Sequence, residues 1–368
     1  MKKRLILIVV AFLILISGCS RSEPKEPLSK QDGRASAEAG QIFQGLELPS
    51  HVKSVLSGTI MWPLIAQTYE TSWNLKGTED DIRALMKTDE SALTPILMIM
   101  SDGIKLTSDD LYVRALTSAF PFRPSLRESV GVQMSGVSKA DYPSGNLSFM
   151  TQEDACRQVL KTLSELGIEN VELEQACALK GETLEEDMQK YASKLRARGY
   201  SELEDELQEK LAVSFGEDRE CYFFSFYMSI GEEQVFTAPA TDQELAISGA
   251  MIYCLYGPSA GTDKDPGFIA AEIRCVPTEL IGQEEHPVIS PDKAAEAVLP
   301  AFNDFSAQLR IEELYFCYCY YNRDRVLHPT WVFILTTNSE WPEGEEYTAT
   351  HYVAVDAITG EIVKHVGR

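Results

Sequence analysis

Residues Leu5 to Ile16 form an unbroken apolar run, preceded by Lys2, Lys3 and Arg4. The run has 12 residues, short of the roughly 20 that a bilayer-spanning helix needs. A short basic segment, a short apolar core and then small residues make an export signal. The opening segment is therefore expected to be removed, and only the remainder has to be read as a folded protein. No later stretch of the sequence is long and apolar enough to span a bilayer.

The small residues are Ile16-Ser17-Gly18-Cys19. They resemble a bacterial lipobox, in which the cysteine thiol receives a diacylglyceryl group and the chain is cut before it. The resemblance implies a signal peptide over 1–18 and a lipid anchor, of the palmitate type, on Cys19. Two acyl chains suffice for stable anchoring, whereas one is marginal. The implied place is the outer face of the cytoplasmic membrane, in a Gram-positive cell. Beyond Cys19, residues 19–45 hold Pro24, Pro27, Gly33, Gly40 and scattered charges. Such a composition buries little surface and predicts a flexible tether.

Removal of residues 1–18 takes three positive charges with it and moves the formal net charge from −23 to −26. So acidic a chain is a poor partner for nucleic acid or for anionic lipid headgroups. Seven cysteines then remain: Cys156, Cys177, Cys221, Cys254, Cys275, Cys317 and Cys319. An odd number leaves at least one thiol outside any intramolecular pair. Cys317 and Cys319 stand two apart in a strand-like run and share a face. With no Cys-x-x-Cys and no histidine at ligand spacing, they read as small buried hydrophobes rather than a soft-metal pair.

Residues 46–148 read as a β-rich region, with β-branched and aromatic stretches at Val52 to Trp62 and Tyr69 to Leu75. From Phe149 the pattern is clearer. Thr151 stands as a helix N-cap with Asp154 three residues on. Ala155, Val159, Leu163 and Leu166 recur near helical spacing, and Gly167 suits a left-handed C-terminal position. A similar unit opens at Ser290-Pro291, where proline suits the first helical position; Pro300 then predicts a kink or an end. Between the two lies a charged helical hairpin over 182–213, with leucines on one stripe. Strand-like runs follow at Cys221 to Ile230, Ile247 to Tyr256 and Phe268 to Val276.

The chain ends with His328-Pro329-Thr330-Trp331, a hydrophobic strand, and a second strand closing in Tyr352-x-x-x-Asp356-x-x-Thr359-Gly360-Glu361. Helix, strands and this turn together resemble PepSY domains, small α+β modules of peptidase propeptides and membrane-associated regulators. The Pro-x-Trp resembles the version in Gram-positive regulators and uncharacterised lipoproteins. The expected fold is thus α+β: two helix-on-antiparallel-sheet units, 149–280 with its insert and 285–368, after the β-rich region. The resemblance implies binding to or regulation of a protein partner at the membrane, with no catalytic constellation. It leaves Trp331, Tyr352, Asp356 and Gly360 as core and turn residues.

The five histidines, at 51, 286, 328, 351 and 365, form no His-x-x-x-His or His-Glu-x-x-His pattern, and no Gly-x-Ser-x-Gly elbow occurs. No catalytic, metal or cofactor residue is assigned. The sequence is read as a non-enzymatic surface lipoprotein acting on a protein partner. A peptide- or small-ligand-binding lipoprotein is the alternative reading, followed by a cell-envelope hydrolase.

Overall fold

A computed structural model describes residues 30–31, 33–86, 96–100, 103–107, 144–180, 220–237, 247–258, 266–321, 324–340 and 346–363. Three α-helices form among them: α1 (Glu79–Leu85), α2 (Gln152–Glu165) and α3 (Pro291–Val298). Helix α1 starts on a capping box: Asp81 N–H donates to Thr78 Oγ1, and Thr78 N–H donates to Asp81 Oδ2 at 2.8 Å. Helix α2 starts on Thr151, whose Oγ1 accepts from Asp154 N–H at 3.2 Å. It buries Ala155, Val159 and Leu163. It ends as a Schellman motif, with Ile168 N–H on Leu163 O, Gly167 N–H on Ser164 O, and Gly167 at φ +89°. Pro291 opens α3 at its first turn, and Pro300 sits in the 3-10 turn Leu299–Asp304 that replaces α-geometry.

The rest is strand. A small sheet runs β1 (Lys30–Gln31), β2 (Arg34–Glu38), β4 (Thr59–Pro63). A seven-stranded sheet holds β6 (Ile96–Met100), β7 (Gly103–Thr107), β8 (Val171–Leu179), β9 (Cys221–Ile230), β10 (Glu233–Gln234), β12 (Met251–Gly257) and β13 (Gly267–Arg274). A second seven-stranded sheet holds β3 (Val52–Ser54), β5 (Ile65–Ser72), β11 (Ile247–Ser248), β14 (Glu279–Pro287), β15 (Leu309–Tyr321), β16 (Val326–Glu340) and β17 (Glu346–Asp356). All pairings are antiparallel except β3 with β15, where Leu309 lies beside Val52.

This overturns the expected α+β arrangement of two PepSY-like helix-on-sheet units. The fold is β-dominated, and neither large sheet is built from one stretch of chain. The early strands β6 and β7 join β13, while β3 and β5 join β15, β16 and β14. The helix periodicities over 151–166 and 291–298 were legible because 3.6-residue spacing is a local signal. Which strands pair is set by long-range burial, which periodicity does not encode.

The two large sheets are joined by the chain itself. After β10, Val235 bridges Tyr318 in parallel, Phe236 N–H donates to Tyr318 O at 2.8 Å, and β11 pairs with Tyr320 and Tyr321. The main core cluster holds Trp331, which is 0% exposed, and a second, smaller cluster gathers Phe236, Ile247, Cys317, Cys319, Val332 and Ala354. The Trp331 ring meets Trp62 at 5.8 Å and Phe316 at 5.6 Å, both edge-on, and its indole N–H donates to Ile289 O at 3.1 Å. Phe43 packs on Phe302 and Phe333.

The folded body begins earlier than the 19–45 tether would allow. Ala35, Ala39, Ile42 and Phe43 are all buried, and Ala35 pairs with Trp62 across β2 and β4. Alanines alternating in a polar segment carry little hydrophobic signal, yet they fit where a strand lies close against an aromatic layer. The helical hairpin expected at 182–213, the lipobox and Cys19 lie outside the described residues.

Gly249 marks the crossing between the sheets. A Cβ there would sit 1.4 Å from Phe236 O, a backbone atom that cannot swing away. Gly249→Ala is expected to cost about 3 kcal/mol through forced backbone displacement. Gly40→Ala, whose Cβ would meet only Leu56 O at 3.6 Å, is expected to leave stability close to unchanged. Urea unfolding of the two variants checks this.

Candidate functional site

Among the described residues, a surface concavity lies between α2, the segment 144–146 and β8, with a volume of about 630 Å³. Cys156, Leu160 and Leu173 supply its apolar wall; Gln152, Glu153 and Arg157 supply its polar rim. The segment before α2 is fastened down. Gly145 N–H donates to Gln152 Oε1 at 2.8 Å, and Gln152 N–H donates to Asn146 Oδ1 at 3.1 Å. Behind it, Leu147 N–H donates to the Tyr222 hydroxyl, which donates on to Met150 O, both at 2.7 Å. The groove wall is thus held by bonds that leave its apolar face open.

Leu173 is 40% exposed although it lies within a strand. The β8–β9 register shifts between Leu173 and Gln175, and a bulge of this kind re-aims side chains. Arg157 is tied to Glu153 at 2.8 Å and to Asp154 at 2.6 Å. Burial pushes the Cys156 thiol above the ordinary cysteine range, so it stays a neutral thiol near pH 7 and is a poor nucleophile. The groove therefore offers apolar contact and a few hydrogen-bonding groups, which is recognition chemistry.

The second concavity, of about 430 Å³, lies where β2, the β4–β5 corner, the end of β9 and β15 meet. Arg34 crosses it: its Nη1 donates to Glu232 Oε2 at 2.8 Å and forms an ion pair with Glu233. Glu233 is 8% exposed. Its burial raises the carboxyl pKa, and Arg34 opposes that shift. Met61, Pro63, Ile65 and Ile230 form the apolar rim.

The residues singled out from the C-terminal motif hold structure. Trp331 is core. The Asp356 carboxylate accepts the N–H groups of Ile358 (2.9 Å) and Thr359 (2.7 Å) and the Tyr321 hydroxyl (3.2 Å), which organises the final turn. Gly360 takes φ +75° in that turn, a conformation other residues rarely adopt. Tyr352 packs edge-on against Phe236. Cys317 and Cys319 share one face with Sγ atoms 3.6 Å apart, both fully buried, and burial drives the Cys317 pKa well up.

The described histidines are dispersed. His51 meets Phe302 O, His328 stacks on Tyr321 and contacts Asp324, and His351 meets Thr337 Oγ1. Among the described residues, no group of three or more His, Cys, Asp or Glu side chains is placed to hold a metal. Sequence reasoning missed both concavities. One signal was present: Cys156 and Leu160, four apart, form a second apolar stripe beside the Ala155–Val159–Leu163 core face of α2. Both are partly buried against the core, so the stripe packs on one side and borders the concavity on the other.

No family model and no curated protein matches the chain. Among solved structures, the chain is similar to one described as an uncharacterized protein from Eubacterium rectale ATCC 33656. The identity is 13% and the TM-score 0.47, over 92% of this chain and 95% of that one.

The Arg34–Glu233 pair gives a direct test of the second concavity. Arg34→Gln strands a buried carboxylate and is expected to cost on the order of 3 kcal/mol. Adding Glu233→Gln should recover most of that loss. Unfolding free energies of the two single variants and the double variant measure the coupling; purely additive losses would contradict it.

Proposed function

We propose that this is a lipid-anchored, non-enzymatic binding protein of the outer face of the bacterial cytoplasmic membrane. Its groove between α2 and β8 takes an apolar segment of a protein or peptide partner. The observation that carries this reading is the groove itself: a volume of about 630 Å³, Leu173 turned outward by a bulge, and Leu160 and Cys156 beside it. Its volume is of the order found for ligand sites, roughly 300–1,000 Å³. The polar rim would set orientation while the apolar wall supplies affinity. The address rests on the basic and apolar opening segment and on Ile16-Ser17-Gly18-Cys19. No helix among the described residues is long and apolar enough to cross a membrane.

Two experiments test the two halves of this reading. Purified protein is titrated with extended peptides carrying Leu, Ile or Phe and, in parallel, with cell-wall fragments, and the melting temperature is followed. A ligand at about 100 times its Kd adds about 2.7 kcal/mol to stability. A rise with apolar peptides that Leu173→Asp abolishes is the expected result. A rise that survives Leu173→Asp, or no rise with any peptide, contradicts the groove as the binding site. Separately, Cys19→Ala should move the protein from the membrane fraction to the soluble fraction; continued retention contradicts the lipid anchor.

A further inference from the structure

Four large apolar side chains are exposed among the described residues: Met61 (53%), Ile65 (57%), Leu173 (40%) and Ile281 (51%). Leu173 belongs to the groove and Ile281 lies on the edge strand β14. The other two stand together on the β4–β5 corner, with Pro63 between them and Ile230 across the cleft. Exposed apolar residues scattered singly need no explanation, whereas a contiguous rim calls for one.

The position of this rim relative to the chain's path sets it apart. Leu64 N–H, between Pro63 and Ile65, donates to Gly33 O at 2.9 Å. The chain enters the small sheet at β1, where Gln31 pairs with Arg34, and the sequence runs from Lys30 back to Cys19 through 11 residues. A stretch of that length reaches at most about 40 Å, against a radius of gyration of about 20 Å for a folded body this size. A lipid on Cys19 would thus keep the β4–β5 corner, beside which the chain enters the body, within reach of the bilayer.

Charge permits the approach. The mature chain is strongly acidic, yet residues 20–33 carry Arg21, Lys25 and Lys30 against Glu23, Glu26 and Asp32 and are formally neutral. Glu232, the exposed acid on the rim, lies 2.8 Å from Arg34, which also pairs with Glu233, so the guanidinium limits these three groups to one formal negative charge. Methionine, isoleucine and proline held at a rigid corner suit shallow burial at the boundary of headgroups and acyl chains.

We infer that the Met61–Pro63–Ile65 corner, with Ile230, is the membrane-facing surface of this protein and dips into the bilayer interface beside the lipid anchor. This rests on the lipid-anchor reading of Cys19. It gives the body a fixed orientation, so that the groove at α2 is presented to partners in a constant attitude.

The test uses the full chain in intact cells, with a diazirine-bearing residue replacing Met61, Ile65 or, as reference, Ile281. After irradiation, phospholipid adducts are quantified by mass spectrometry. Lipid adducts at 61 and 65 several-fold above those at 281 are expected. Yields at 61 and 65 no higher than at 281 would overturn the inference, as would adducts at these positions formed with protein in place of lipid. The same measurements in Cys19→Ala separate the two claims. Release of that variant, together with low lipid labelling at 61 and 65 in the parent chain, sinks the corner and leaves the anchor standing. Retention of that variant sinks the anchor. Lipid adducts at 61 and 65 in the retained variant would then still support the corner as a membrane contact, and their absence would overturn it.

Discussion

The indole of Trp331 is the contact on which the rest of the architecture leans. It stands on β16, the central strand of the C-terminal sheet, and its two edge-on partners come from opposite ends of the chain: Trp62 from the small N-terminal sheet and Phe316 from β15. Aromatic pairs of this geometry contribute about 0.5–1.5 kcal/mol beyond their buried area. The larger effect is geometric. The hydrogen bond from its ring to Ile289 O fixes the approach to α3, and Phe43 closes the same layer against Phe302 and Phe333. One side chain thus sets where the N-terminal sheet, the helix and the C-terminal sheet meet.

What could be read from the sequence was what is decided locally. The cap at Thr151, the left-handed Gly167, the termination at Pro300 and the turn at Asp356–Gly360 depend on neighbours within a few residues. Their chemistry is therefore written in consecutive positions. Strand partnership is different. Nothing in Val52-Lys53-Ser54 announces a parallel partner in Leu309-Arg310-Ile311. Strands such as β9, buried on both faces at Tyr222 and Phe223 alike, lack the alternation that would tell inside from outside. The grouping of helices and strands into two repeated units followed from the local signals and failed at this step. Ala35 and Ala39 failed for another reason: a small side chain beneath Trp62 looks no different in sequence from one in a linker.

The two concavities differ in the chemistry they present. At α2 the polar groups fasten one another, Gln152 to Gly145 and Arg157 to Glu153 and Asp154, and the wall left over is apolar. At the β4–β5 corner Arg34 and Glu233 are largely withdrawn from water, while Glu232 and the apolar groups stand at the rim.

The parallel pairing of β3 with β15 and the insertion of β5 between β16 and β14 bear on how the protein is made. A chain synthesised from its N-terminus offers Val52–Ser54 and Ile65–Ser72 long before their partners at Glu279–Glu340 have been made. Neither sheet can close until the last third of the polypeptide has emerged. Such high contact order slows folding and prolongs the exposure of apolar strands. The molecule therefore completes its large sheets late, once the C-terminal strands have been made, with β3 and β5 waiting for their partners until then.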